Sequence, residues 1–84
     1  MTQHDKVRDF MQSVLRQRND TAPLGDTEPL FSNGRLDSLA AVNVVMFLEQ
    51  EFGVDFAYIG LDLERIDSVD MIVDLIGENT GASA

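Results

Sequence analysis

Apolar residues near the start of the chain recur with helical spacing. Val7, Phe10, Met11, Val14 and Leu15 fall at i, i+3, i+4, i+7 and i+8, which puts them on one face of a helix. Thr2, with Asp5 three residues later, has the spacing of a capping box. Arg16 and Arg18 suit the far end, where the helix dipole favours cations. The pattern predicts a first helix over residues 3–18. Periodicity then stops: Asn19-Asp20, Pro23, Gly25, Pro29 and Asn33-Gly34 all break regular structure. A loop over 19–37 is long for a small domain, where connections above ~12–15 residues are usually functional or disordered. Leu30, Phe31 and Leu36 argue for order. Apolar residues in a polar loop anchor it to a core, so its last residues should be presented rigidly.

A second helix is predicted from Asp37 or Ser38 to Phe52. Asp37 is a good N-cap residue, and Gly53 is a natural left-handed stop with Val54 placed for the accompanying apolar contact. Between Leu39 and Leu48 only Asn43 is polar. Two apolar stripes result: Ala41, Val44, Val45, Leu48 and Phe52 on one side, and Leu39, Val42 and Met46 on another. A domain this small can hardly cover both. The second stripe is therefore expected at the surface, as a docking face.

Residues 53–61 read as a second connection carrying Val54, Phe56, Tyr58, Ile59 and Leu61. A short helical turn is predicted near Asp62–Ile66. A last helix should start at Asp67 or Ser68, with Val69, Ile72, Val73 and Ile76 as its apolar face and Asp67 with Asp70 as a weak capping box. From Glu78 onward the sequence reads as a frayed tail. Val54-Asp55-Phe56 alternates briefly, too briefly for a strand. The expectation is an all-α single domain over 1–84: three main helices, one short helix and a long first loop. Its core should span about 3–78, with 79–84 as a flexible tail.

Composition narrows the function classes. With no cysteine, a disulfide framework, a thiolate metal site and a thiol nucleophile are excluded. The polar, charged residues 1–9 do not read as a signal peptide, and no apolar run approaches the ~20 residues that span a bilayer. A cytoplasmic protein is the default expectation. The net charge of −9 is lopsided. Residues 1–36 carry five acids and five bases; residues 37–84 carry ten acids and only Arg65. Nucleic acid and anionic membranes would be repelled by that second part, whereas proteins with basic docking surfaces would be steered to it.

Ser38 is the one plausible reactive centre. A catalytic serine needs an adjacent base, and the only histidine, His4, is expected to be exposed and inert in the N-terminal turn. The G-x-S-x-G elbow is absent, since the local sequence is Leu36-Asp37-Ser38-Leu39-Ala40. Asp62, Glu64, Asp67 and Asp70 lack the glycine and spacing of a calcium loop. No metal site or catalytic residue is expected. At a helix N-terminus, however, free N–H groups and the dipole favour an anion, so a phosphodiester on Ser38 would be electrostatically welcome.

The wider context of Ser38 resembles the acyl, peptidyl and aminoacyl carrier protein family. The resemblance rests on Leu30-Phe31, Gly34, Leu36-Asp37-Ser38-Leu39 and Val42, then Leu48-Glu49-Gln50-Glu51-Phe52-Gly53-Val54, and the later Ile66-Asp67-Ser68-Val69-Asp70-Met71-Ile72. It covers about residues 5–77 and implies a small four-helix bundle of carrier-protein type. It implies that Ser38 receives 4′-phosphopantetheine from coenzyme A through a separate, magnesium-requiring phosphopantetheinyl transferase. The thiol of that arm would carry an acyl or aminoacyl cargo as a thioester, in a discrete, monomeric, non-enzymatic protein. Implied partners are the transferase, an acyl- or aminoacyl-activating ligase and a downstream transferase of a biosynthetic pathway. Asp37 would cap the helix and take part in transferase recognition. Leu39, Val42 and Met46 would form the apolar docking face, with Glu49 and Glu51 supplying charge. The chain departs from fatty-acid carriers at Ala40, Ala41 and Asn43, where acids are common, which suggests a dedicated partner. Phe47 is bulky and is expected to restrict a cargo cavity. Two alternatives keep the fold: a non-covalent helical adaptor using the Leu39–Met46 stripe, and a carrier-like domain whose serine is phosphorylated.

Overall fold

The computed structural model describes residues 2–80. Four α-helices and one 3-10 turn follow in chain order: α1 (Gln3–Gln17), α2 (Ser38–Phe52), α3 (Phe56–Ile59), the 3-10 turn (Leu63–Ile66) and α4 (Val69–Thr80). There is no strand among the described residues. The predicted capping box opens α1: the Asp5 N–H donates to Thr2 Oγ1 and the Thr2 N–H to the Asp5 carboxylate. At the other end of α1, Asn19 takes a positive φ of 63°, a conformation that asparagine tolerates better than most residues.

The core is built from one face of each long helix. Val7, Met11, Val14 and Leu15 of α1 meet Val69, Ile72, Leu75 and Ile76 of α4, with Ala40, Ala41, Val44 and Leu48 of α2 closing it. Three details differ from the sequence expectation. Phe10 is only half-buried and stacks on Phe47, with ring centroids 4.0 Å apart. Leu75 joins the core in place of Val73, which is half-buried. Ala40 is buried, because its small side chain lets α2 sit close to the rest of the core.

The region after α2 also departs from expectation. Gly53, at φ 71°, stops α2 in the left-handed conformation. The chain then makes a one-turn helix, α3, that the sequence reading left as connection. Asp55 caps it by accepting the Tyr58 N–H, and buried Phe56 pins it. Four residues are too few for periodicity to register. The 3-10 turn matches the predicted short helix and buries Ile66. α4 runs to Thr80, past Glu78, where the tail was expected. Gly77 lies inside the helix, where it costs roughly 1 kcal/mol but does not stop it. Residues 81–84 of the expected tail lie outside the described residues.

The first connection, residues 19–37, is ordered by two kinds of anchor. Leu24, Leu30 and Leu36 are buried in the core, while Phe31 packs partly against it. Charged side chains then tie the backbone down. The Arg35 guanidinium reaches both oxygens of Asp20 at 3.0 and 3.1 Å and Glu28 at 2.6 Å. Arg8 of α1 pairs with both oxygens of Asp26 at 2.8 Å.

Candidate functional site

Ser38 is the first residue of α2 and is exposed. Asp37 immediately before it is the N-cap: Oδ1 accepts the Ala40 N–H at 3.0 Å, and its carbonyl accepts the Ala41 N–H at 3.2 Å. The Ser38 hydroxyl has no hydrogen-bond partner among the described residues. The Asp37 carboxylate has a second partner that sequence reasoning did not find. Its Oδ2 lies 3.1 Å from an Arg18 guanidinium nitrogen. Arg18 is the C-cap of α1, so the end of one helix meets the start of another beside Ser38. The Ala40 N–H, and then Arg18, hold the Asp37 carboxyl below its ordinary value. The eighteen residues between Arg18 and Asp37 hide this contact from any local sequence signal.

The loop that aims Ser38 is fixed from below. Leu36 is buried and its N–H donates to the Leu30 carbonyl at 3.0 Å. Gly34, at φ 78°, turns the chain back so that its N–H reaches the Phe31 carbonyl at 3.1 Å; that φ favours glycine. Asp67 is the hub. Its Oδ1 accepts the N–H groups of Leu30, Phe31 and Ser32 at 3.1, 2.6 and 3.0 Å, and its Oδ2 accepts the Ser32 hydroxyl at 2.7 Å. Burial would raise the Asp67 carboxyl, but the donors from Ser32, Phe31 and Leu30 outweigh it and hold the carboxyl below its ordinary value. The expected Asp67–Asp70 capping box is therefore not formed. Ser68 caps α4 instead, accepting the Met71 N–H at 3.2 Å, because Asp67 is committed to the first connection.

The other predicted residues divide into two groups. Leu39, Val42 and Met46 are 74%, 52% and 49% exposed, an apolar strip along α2 beginning next to Ser38. Asn43 and Glu49 are exposed on the same helix. Glu51 sits toward α1: with Lys6, Asp9, Phe10 and Phe47 it lines one groove at the α1–α2 seam, and with Asn43, Met46 and Phe47 an adjoining one. Phe47 belongs to that outer seam, stacked on Phe10 and edge-on to Phe52. It does not point into the core, so the expectation that it narrows an internal cargo cavity is not met. Ala40 is likewise no part of an exposed face.

His4 also departs from expectation. It is half-buried, and its Nε2 lies 2.9 Å from Asp70 Oδ1. Ligand atoms of His4, Asp26 and Asp70 lie within 4.8 Å of one another. Asp26 is already bound by Arg8 through both oxygens, and the Asp70 N–H donates to the Asp26 carbonyl at 2.9 Å. The arrangement is a clamp joining α1, the first connection and α4. No helix among the described residues is long and apolar enough to cross a membrane.

The four-helix, all-α fold thus presents an exposed serine at a capped helix N-terminus. Residues 5–76 match the family described as phosphopantetheine attachment site, and the chain belongs to that family. No curated protein and no solved structure was found to match it. Domains of this family carry covalent 4′-phosphopantetheine and are generally non-catalytic carriers. The donor set at the start of α2 fits the phosphate end of that group. An accessible hydroxyl, the first N–H groups of a helix and a guanidinium converge there.

Proposed function

We propose that this protein is a carrier that bears 4′-phosphopantetheine on Ser38 and presents a thioester-linked acyl or aminoacyl intermediate to partner enzymes. The observation that carries this reading is Ser38 itself, exposed and unpartnered at the N-terminus of α2, within a family match that spans residues 5–76. In the attachment reaction the Ser38 oxygen forms a bond to the pantetheine-side phosphorus of the coenzyme A pyrophosphate, the P–O bond to the adenosine half breaks, and adenosine 3′,5′-bisphosphate leaves. A base of the transferase would take the hydroxyl proton, and its magnesium would stabilise the transferring charge. The chain's one histidine, His4, is paired with Asp70, and on this reading Ser38 is a substrate of that enzyme. When attached, the arm supplies the thiol that this cysteine-free chain lacks.

Asp37 keeps the helix start open and oriented. The Leu39, Val42 and Met46 strip then offers partners an apolar contact next to the modified serine. No acid lies in the first turn of α2, and Glu49 adds charge only about three turns after Ser38. Such a face suits a dedicated ligase and downstream transferase of a biosynthetic pathway, docked mainly by apolar burial. Glu51, on the α1 side, adds charge where Met46 of the strip borders that seam.

The test is intact mass before and after incubation with coenzyme A, magnesium and a broad-specificity phosphopantetheinyl transferase. One phosphopantetheine should be gained by the wild type and none by Ser38→Ala. A folded, previously unmodified wild type that gains nothing would overturn the reading and leave a non-covalent adaptor using the same strip. Docking is tested separately by Val42→Glu and Met46→Glu, which should raise the transferase KM about tenfold if the strip is an interface centre. Ala40→Glu is unsuitable, since it would bury a charge.

A further inference from the structure

We propose that Arg18 is the residue that receives the phosphate of the prosthetic group, so that the base of the arm is held toward the end of α1. The inference rests on attachment at Ser38. Asp37 and Ser38 are consecutive, with Cα atoms about 3.8 Å apart, and Arg18 lies 3.1 Å from the outer oxygen of Asp37. A guanidinium has five N–H donors. Apart from the pairing with Asp37, the Arg18 side chain makes no hydrogen bond or ion pair among the described residues, so donors remain for a second anion. The need for one is electrostatic. A phosphodiester on Ser38 adds a negative charge beside the Asp37 carboxylate, in the part of the chain that already holds ten acids and one base. Arg18 can bridge the two anions, as guanidinium forks do for carboxylate and phosphate.

Asp37 thus has two jobs: one oxygen caps α2, and the other stations the cation that the modification requires. Arg18 is a positioning residue in this account. It sets where the arm starts, and it takes no part in bond making.

The experiment compares apo and mass-verified holo forms of the wild type, Arg18→Gln and Arg18→Lys. Thermal midpoints are read at low salt and at 0.5 M sodium chloride. The 15N–1H signal of the Arg18 Nε–H is followed in the wild type. Relative to the wild type, the apo-to-holo change in midpoint should fall by about 2–5 °C in Arg18→Gln. Arg18→Lys should recover part of it, and high salt should shrink the difference. The Arg18 Nε–H signal should move on attachment. An equal apo-to-holo change in Arg18→Gln and wild type, with an unmoved Nε–H signal, would overturn the proposal and leave Ser38 attachment standing. If Arg18→Gln cannot be loaded, the Nε–H signal of the wild type decides alone. A wild type that gains no mass would overturn both.

Discussion

The two connections flanking α2 are built by different means. The first, residues 19–37, is tied within itself by Arg35 to Asp20 and Glu28 and is bound from outside as well. Arg8, Arg18 and Asp67 reach in from α1 and from the start of α4, and Leu24, Leu30 and Leu36 are buried. The second, residues 53–66, buries Val54, Phe56 and Ile66, but its side-chain caps are local, Asp55 to Tyr58 and Asp62 to Glu64, and Arg65 adds a pairing with Glu78 of α4. It leaves Tyr58 87% and Leu61 51% exposed. Under the proposed function the first connection has to place Ser38 accurately for another enzyme, and cross-links from several elements do that. A segment that only returns the chain to the core can be held by a few apolar residues.

Four measurements would break or sharpen this contrast. Leu30→Ala should have the largest effect. It empties a fully buried site in the first connection and should cost about 2–5 kcal/mol in denaturant unfolding. Next, Asp67→Ala leaves the Phe31 and Ser32 N–H groups and the Ser32 hydroxyl without their acceptor, while the Leu30 N–H keeps the Asp67 carbonyl at 2.7 Å, and should cost on the order of 2–3 kcal/mol. A cost near zero would mean that the hub does not hold the first connection. The third is acid unfolding. Asp20, Asp26, Glu28, Asp37 and Asp67, all in or against the first connection, have carboxyls lowered from ordinary values of 3.8 or 4.5. The unfolded chain therefore binds more protons as the pH falls below about 4.5. Stability is full above that pH and is lost as the pH drops through the lowered folded values. Asp67→Ala should flatten part of this limb when unfolding is followed by circular dichroism against pH. The smallest effect belongs to the second connection: Tyr58→Ser and Leu61→Ser should each change stability by no more than about 0.5 kcal/mol.

The same contrast explains what could be read from the sequence. The long helices followed from apolar spacing, and the capping residues Thr2, Asp37 and Gly53 stand where their chemistry predicts. Burial of Leu30 and Leu36 followed from finding apolar residues in a polar loop. The side-chain network was not readable. Asp67 is thirty-five to thirty-seven positions from the N–H groups it binds, and its spacing to Asp70 imitated a local cap. Arg18 looked like a dipole partner for α1 and proved also to pair with Asp37. His4 looked solvated, but the fold brings it to Asp70, sixty-six positions away. α3 escaped because one turn carries no period. Ser38 stood out because its extended motif is local, whereas the charges that surround it are not.

The central claim is that the prosthetic group is attached to Ser38, and trypsin offers a direct test. Cleavage after Arg35 and Arg65 releases residues 36–65, a peptide whose only serine is Ser38 and which contains no threonine. After treatment with coenzyme A, magnesium and transferase, fragment mass spectrometry should find the added phosphopantetheine in that peptide alone and on Ser38. An added mass on the peptide holding Ser32 or on the one holding Ser68, with residues 36–65 unmodified, would contradict the account.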